Sequence, residues 1–409
     1  MQGSVRHSLR ANSFVDAGQR PHVVLGITSA QTCLVLRGRV RALREAGFRV
    51  TLISSPGSLL DELASDEGAE CIELCMHREI APLGDLRSLM HLWRILRKLR
   101  PDVVEFSTPK AGLLGILAAL FAKVPQRVYL LRGLKLETAS GPKRALLWAV
   151  EWLTMACAQI VLCNSHSLLT ETAALRLATQ RKLRVLGAGS SIGVDCDHFT
   201  PEGINSRAEL LIPEGALVIG FAGRLTRDKG MPLLFDAFEK IQRLNPITYL
   251  LLVGWWDEAE DAVDTTLRER ILCHPNVRCT GFIQDVAPHL RAMDIFVLPT
   301  YREGFPNAIL EASATGLPVV TTDATGARDA IVPDVTGLSV PSGSAEALLE
   351  ALLKLLQDPQ LREKMGREGR QWVGRNFEGR HVLALNAKFY RDLFAGNFER
   401  RQPDCIAAD

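Results

Sequence analysis

Tyr301-Arg-Glu-Gly-Phe-Pro-Asn-Ala-Ile-Leu-Glu-Ala312 is the most telling stretch of this chain. The apolar run before it, Asp294–Thr300, reads as a buried strand. The residues after it read as a helix that stops at Gly316. Glu303 then falls on a strand-to-helix loop, and Glu311 in the first turns of the next helix. In a parallel α/β sheet such a loop lies at the carboxyl end of its strand, where ligands bind. The helix N-terminus offers free N–H groups and partial positive charge to a phosphate. A carboxylate only accepts hydrogen bonds, so each Glu can hold neighbouring hydroxyls of a sugar. The pattern describes a nucleotide-sugar site, with Glu303 on the sugar, Glu311 on a ribose and phosphate between. Two solvated glutamates flanking an ordinary helix are the plain alternative. The embedded Gly304-Phe305-Pro306-Asn307 argues against it.

A second signal lies upstream. Leu217–Gly223 reads as a buried strand, followed by Arg224-Leu-Thr-Arg-Asp-Lys229-Gly230 and a helical pattern from Met231 to Leu244. Arg224 and Lys229 thus flank a Gly-bounded loop entering a helix. Two fixed cations there can neutralise a departing diphosphate.

These two stretches, with Gly281–Val286, Gly316–Val320 and Thr336–Pro341, resemble glycosyltransferase family 4, retaining enzymes of the GT-B fold. In the first half, Thr108–Gly115 and Leu131–Thr138 are similar to bacterial transferases that build surface polysaccharides on lipid carriers. The resemblance runs from about His22 to about Phe394. It implies an α/β architecture of two Rossmann-like, doubly wound domains facing across a cleft. It also implies a hexose or N-acetylhexosamine moved from a nucleoside-diphosphate donor, expected to be UDP-linked, to a lipid-linked sugar. Arg224, Lys229 and Glu303 would be catalytic: the cations stabilise the leaving diphosphate, and Glu303 grips sugar hydroxyls. Gly223, Gly304, Phe305, Pro306, Asn307 and Ala308 would line the donor, Glu311 would hold the ribose, and Phe282 and Ile283 the base. The favoured mechanism needs no protein nucleophile, no metal and no cofactor.

On the acceptor side the chain departs from the better-known family pattern. Ile27–Gln31 lacks the usual Gly-Gly pair, and Glu105–Gly112 lacks the usual His. Ser29, Glu105, Thr108 and Lys110 are acceptor candidates by position. Lys110 and Arg132 are candidates for an acceptor pyrophosphate, and Glu137 for its sugar.

The 409 residues suit two medium domains, and 47% hydrophobic content suits an α/β protein with two cores. The strand candidates alternate with helical patterns, which implies parallel sheets. In the first half they are His22–Ile27, Arg49–Ser54, Val103–Phe106, Arg127–Leu131, Ile160–Cys163 and Leu183–Leu186. In the second half they are Val218–Phe221, Tyr249–Val253, Val277–Thr280, Ile295–Pro299, Val319–Thr322 and Gly337–Val340. The expected domains are residues 21–200 for the acceptor and 201–376 for the donor, after an extension over 1–20. The family implies that a last helix, 377–396, crosses back to the first domain.

Nine cysteines show no zinc spacing, and no stretch before Pro21 suits a signal peptide, so reduced thiols in the cytoplasm are expected. No run reaches the roughly 18–20 apolar residues of a membrane span. Net charge is +2, but residues 1–205 carry 25 basic against 18 acidic residues and the remainder 23 against 28. A basic first half suits an anionic partner. A lipid surface or a pyrophosphate-linked acceptor fits better than nucleic acid, for which no motif is present. Asp85–Arg100 is a basic amphipathic helix carrying Trp93, with Leu86, Leu89, Trp93, Leu96 and Arg100 on one face and Leu92 and Leu99 widening it. It suits either the cover of a sheet or the inner membrane surface, where the protein is expected to sit peripherally. Asp195-Cys-Asp197 matches a metal-binding spacing of another transferase fold. Its place after Gly193-Val194 and the cations at Arg224 and Lys229 speak against a metal.

Other readings are a transferase with a soluble acceptor, an epimerase on the same fold, or a nucleotide-sugar-binding scaffold. Oligomeric state is not legible. Trp255-Trp256 has no account at this level.

Overall fold

The structure, a computed structural model, describes residues 20–76, 81–257 and 261–396. The expected extension over 1–20 lies outside them, apart from Arg20. Contacts group the chain into two compact units. One runs through Phe106 and adds Lys110–Val128 and the chain from Asn386; the other comprises Ser107–Pro109 and Tyr129–Leu385. The strands belong to a seven-stranded and a six-stranded parallel sheet.

The first unit contains β1 (His22–Gly26), α1 (Arg39–Glu45), β2 (Arg49–Ser54), α2 (Ser58–Glu67), β3 (Glu70–Glu73), α3 (Pro82–Leu99), β4 (Val103–Ser107, its last residue outside) and α4 (Pro109–Phe121, after its first residue). The strand order is β3-β2-β1-β4, with Val23 opposite both Val50 and Val103. β1 and β4 are buried along their whole length, as strands covered on both faces must be. The chain winds from β1 outward to β3, then returns to β4 on the other side of β1. The loops after β1 and β4 therefore flank a topological switch point.

Two readings of this unit are corrected. β3, Glu-Cys-Ile-Glu, was not expected; its charged ends suit an edge and hide the strand pattern. In α3 the buried stripe is Ser88, Leu92 and Leu96, whereas Leu86 is 55% exposed. The inward face thus centres on the Leu92–Leu96 side of the expected one, and Leu89 and Trp93 lie half-buried at its margin.

The second unit carries β5 (Gln126–Leu131, from Tyr129), α5 (Gly141–Cys157), β6 (Ile160–Cys163), α6 (His166–Ala174) and β7 (Leu183–Arg184). It continues with β8 (Leu217–Ala222), α7 (Met231–Leu244), β9 (Thr248–Val253), α8 (Thr265–Cys273), β10 (Val277–Cys279), α9 (Ala287–Leu290) and β11 (Ile295–Leu298). Then follow α10 (Asn307–Ala314), β12 (Val319–Thr322), β13 (Gly337–Val340), α11 (Ala345–Gln357), α12 (Pro359–Asn376) and α13 (Gly379–Phe394), which leaves the unit after Leu385. The six-stranded sheet has the order β10-β9-β8-β11-β12-β13. Its core joins Val218, Ile219 and Phe221 of β8 to Leu234, Phe235, Phe238 and Ile241 of α7. Side-chain caps start several helices: Asp264 on α8, Ser344 on α11 and Asp358 on α12 each accept from backbone N–H groups. Here the winding reverses between β8 and β11.

Candidate active site at the sheet switch point

The two motif loops follow the two strands that flank this reversal. β8 leads into Gly223–Gly230 and β11 into Pro299–Pro306, so sheet order alone sets the basic loop beside the Glu303 loop. Gly230 takes φ +79°, and a Cβ there would lie 2.1 Å from the Pro299 carbonyl oxygen. Only glycine allows that turn and that approach.

Asp228, which sequence reasoning passed over, ties the loops together. Its backbone carbonyl accepts from Tyr301 N at 2.9 Å and Thr300 Oγ1 at 3.1 Å. Its carboxylate accepts from Thr226 Oγ1 at 2.5 Å and Arg302 at 2.9 Å. Burial alone would push this carboxyl up; the Thr226 hydrogen bond and the charges of Lys229, Arg302 and Arg224 outweigh it and hold it below its ordinary value. Its visible signal was three consecutive charged residues, Arg227-Asp228-Lys229, at a strand-to-helix turn.

Lys229 Nζ pairs with Glu303 Oε1, and both side chains are largely buried. Arg224 pairs with Asp257 at 2.7 Å. The structure thus brings Arg224, Lys229 and Glu303 into one charged network, each with a fixed opposite charge. Beside them, the Gly254 N–H donates to the Gly281 carbonyl at 3.1 Å, and a Cβ on Gly254 would lie 1.8 Å from the Gly223 oxygen. The ends of β8, β9 and β10 therefore meet backbone to backbone. Phe282 is half exposed there, with Trp255 edge-on at 5.5 Å, while Ile283 packs on the core. Trp255 is thereby an aromatic packing partner of Phe282. Trp256 is covered by Arg268 at 5.3 Å.

Glu303 N donates to Thr325 O at 2.9 Å. A Cβ on Gly304 would lie 2.2 Å from the Arg132 carbonyl oxygen, so this loop runs against the segment after β5. Phe305 turns its ring into the core against Phe377 at 5.1 Å. Pro306 caps α10, Asn307 accepts from Ser190 Oγ at 3.1 Å, and Ala308 is half-buried. Glu311, on the second turn of α10, is half-buried; burial pushes its carboxyl up to about 7, and the nearby His198 charge opposes this.

Of the acceptor candidates, Arg132 and Glu137 share this unit with the Glu303 loop. Arg132 donates to Ser191 at 3.0 Å. Both Glu137 oxygens are buried; burial pushes the carboxyl up and Glu171 adds to this, against a Thr325 hydrogen bond and the charges of Arg302 and Arg328. Thr108 has φ +71°, a strained geometry for a β-branched residue. In the first unit, Ser29 bonds Gln31, and Lys110 pairs with Asp85 at 2.8 Å.

Glu105 is corrected as an acceptor contact. It is 2% exposed, with its oxygens bonded to Arg39 at 2.8 Å each and to the Tyr390 hydroxyl. It neutralises a buried arginine. In the Asp195-Cys-Asp197 pattern, Asp195 accepts from Asp197 N and His198 N, and Asp197 pairs with Arg380. Among the described residues no group of three His, Cys, Asp or Glu side chains is placed to hold a metal ion.

Comparison with known proteins adds three findings. Residues 204–372 match the family model "Glycosyl transferases group 1", and residues 34–189 match "Glycosyl transferase 4-like domain". The chain is 35% identical over 358 residues to the capsular polysaccharide biosynthesis glycosyltransferase CapM of Staphylococcus aureus, covering 87% of this chain and 93% of that protein. It is 27% identical over 328 residues to the UDP-Gal:alpha-D-GlcNAc-diphosphoundecaprenol alpha-1,3-galactosyltransferase of Escherichia coli, covering 77% and 81%. In fold it is similar to sucrose-phosphate synthase of Thermosynechococcus elongatus, with a TM-score of 0.76, 22% identity and coverage of 92% and 100%.

Proposed function

The chain belongs to the group 1 glycosyltransferases of family 4, and we propose that within that family it moves a hexose or N-acetylhexosamine, with retention, from a UDP-linked donor to a lipid-linked sugar. The observation that carries the reading is the Lys229–Glu303 pair beside the start of α10, with Arg224 on the same network. The relative from Escherichia coli, by its name, uses UDP-Gal and a diphosphoundecaprenol acceptor. That supports the same donor and acceptor class here.

In this mechanism the bond from the sugar C1 to the diphosphate oxygen breaks, and negative charge develops on the departing diphosphate. Lys229 and Arg224 stabilise that charge, together with the N–H groups at the start of α10. Their positions are held beforehand by Glu303, Asp257 and the Asp228 hydrogen bonds, so little reorganisation accompanies the transition state. Glu303 holds Lys229 and grips hydroxyls of the transferred sugar. Glu311 takes the ribose diol, and Phe282 with Trp255 flanks the base. The acceptor hydroxyl enters on the face the diphosphate leaves, and a diphosphate oxygen takes its proton. No step needs a metal.

The test is a thermal-shift panel of UDP, GDP, ADP and UDP-sugars, followed by transfer to a polyprenyl-diphosphate-linked sugar and NMR assignment of the product anomer. A ligand that binds only the folded state raises the melting midpoint. Stabilisation by UDP-sugars and an α-linked product from an α-linked donor are expected. An inverted anomer, or no response to any nucleotide, sinks the proposal.

A further inference from the structure

Helix α5 is oriented contrary to the usual rule for a surface helix, which turns charge outward and apolar residues inward. Its exposed side carries Leu146 at 51%, Trp148 at 37%, Trp152 at 46% and Leu153 at 39% exposure. Ala145, Ala149 and Ala156 continue this apolar surface. Trp148 and Trp152, one turn apart, stack at 6.3 Å with 11° between their planes. The only acid in Gly141–Cys157 is Glu151, which points inward, is 4% exposed and accepts from Tyr129 OH at 3.0 Å. The charges left on the exposed side are Lys143 and Arg144, in the first turn.

The helix is anchored mainly from its other side. Thr154 and Met155 are buried on its inner side, and Lys182 Nζ donates to the carbonyls of Met155, Ala156 and Ala158 at its C-terminus. Trp148 Nε1 donates to the Leu175 carbonyl at 2.9 Å, which fixes that ring at the surface. Arg176, the next residue, is exposed and adds a cation beside it.

We propose that the outer face of α5 is a docking surface for an anionic lipid bilayer. Exposed leucines and tryptophans would enter the headgroup–acyl boundary, with Lys143, Arg144 and Arg176 among the headgroup phosphates. Charge complementarity selects this occupant. The helix exposes cations and no carboxylate, so the same face of a second copy would bring only more cations against it. Among the described residues no helix is long and apolar enough to cross a membrane, so α5 would lie in the interface plane. Vesicle binding is read without donor or acceptor, so it stands or falls separately from the transfer reaction.

The test is flotation of the full chain with vesicles of phosphatidylcholine alone and of phosphatidylcholine with phosphatidylglycerol. Co-flotation is expected with the anionic vesicles, much reduced on the neutral ones. The triple variant Leu146→Ser, Trp152→Ser, Leu153→Ser is expected to lose it. Lys143→Ser with Arg144→Ser is expected to weaken it roughly fivefold per charge removed. All these side chains are exposed, so circular dichroism and melting midpoint should stay as in wild type, which separates lost docking from lost folding. Wild type that stays with the unbound fraction overturns the proposal, as does a triple variant that floats normally. Light scattering that shows a dimer dissociated by the triple variant, with flotation unchanged, assigns the face to a second copy instead.

Discussion

Lys229 and Glu303 stand 74 positions apart in the chain and form a largely buried ion pair. Each lies on a loop following a strand at the reversal of the six-stranded sheet, and Asp228 bonds one loop to the other. The pair sets the geometry of a fixed cation at the ends of β8 and β11.

Replacing Lys229 by Ala removes a preorganised cation and leaves Glu303 without its partner. Turnover should fall by about 10²–10³-fold, the scale for losing one donor that stabilises developing negative charge. KM for the donor should change far less. Steady-state kinetics read both, and wild-type turnover in this variant rules out the diphosphate-clamp role.

Asp228→Asn should act through position and stability together. The carboxylate accepts from Thr226 and Arg302 in a buried setting, and hydrogen bonds to charged groups are worth about 1.5–3 kcal/mol each. A loss of about 2 kcal/mol in urea unfolding is expected, with lower turnover and intact secondary structure. The carboxyl is held below its ordinary value, so its contribution is present at neutral pH and lost as pH falls through the depressed value. The variant should therefore differ least from wild type in acid.

Glu311 supplies a pH signature. Its carboxyl sits at about 7 when folded, against 4.5 ordinarily, so the folded state binds the extra proton between those values. Its contribution to stability is thus present below about 4.5 and lost as pH rises through about 7. A ribose diol donates to the ionised form, so nucleotide affinity should rise with pH across the same window. Calorimetric titration of UDP into wild type and Glu311→Gln checks this. The variant should bind more weakly and lose the pH slope, and an unchanged slope removes Glu311 from the ribose.

Glu105→Ala tests the corrected assignment. Removing one partner of a buried ion pair costs roughly 3–5 kcal/mol because Arg39 is left uncompensated. The melting midpoint should drop markedly while the response to UDP is kept. Near-normal stability with lost transfer would return Glu105 to the acceptor side.

Much of the fold was legible because its determinants are local. Buried parallel strands such as Ile295–Leu298 read as short apolar runs, and helices such as Met231–Leu244 carry an apolar stripe at helical spacing. The edge strand Glu70–Glu73 was not legible, since an edge can be short and charged without losing its pairing. Glu303 was legible because Gly304 and Pro306 mark the loop that carries it, and Glu311 because a helical pattern follows.

The sequence by itself determined which segments become strands and helices, and which loops bear charge at the carboxyl ends of strands. Hydrophobic period and glycine placement act over a few residues, so they survive without tertiary context. Only the tertiary structure decided how those charges are spent. Strand order joined Lys229 to Glu303, and packing gave Trp255 to Phe282. Arg39 and Tyr390, the latter 285 positions away, claimed Glu105 for the core. Packing likewise turned the tryptophans of α5 outward and its one acid inward. Whether a carboxylate faces a ligand or a buried arginine depends on which distant side chain shares its low-dielectric surroundings, and chain order carries no local mark of that.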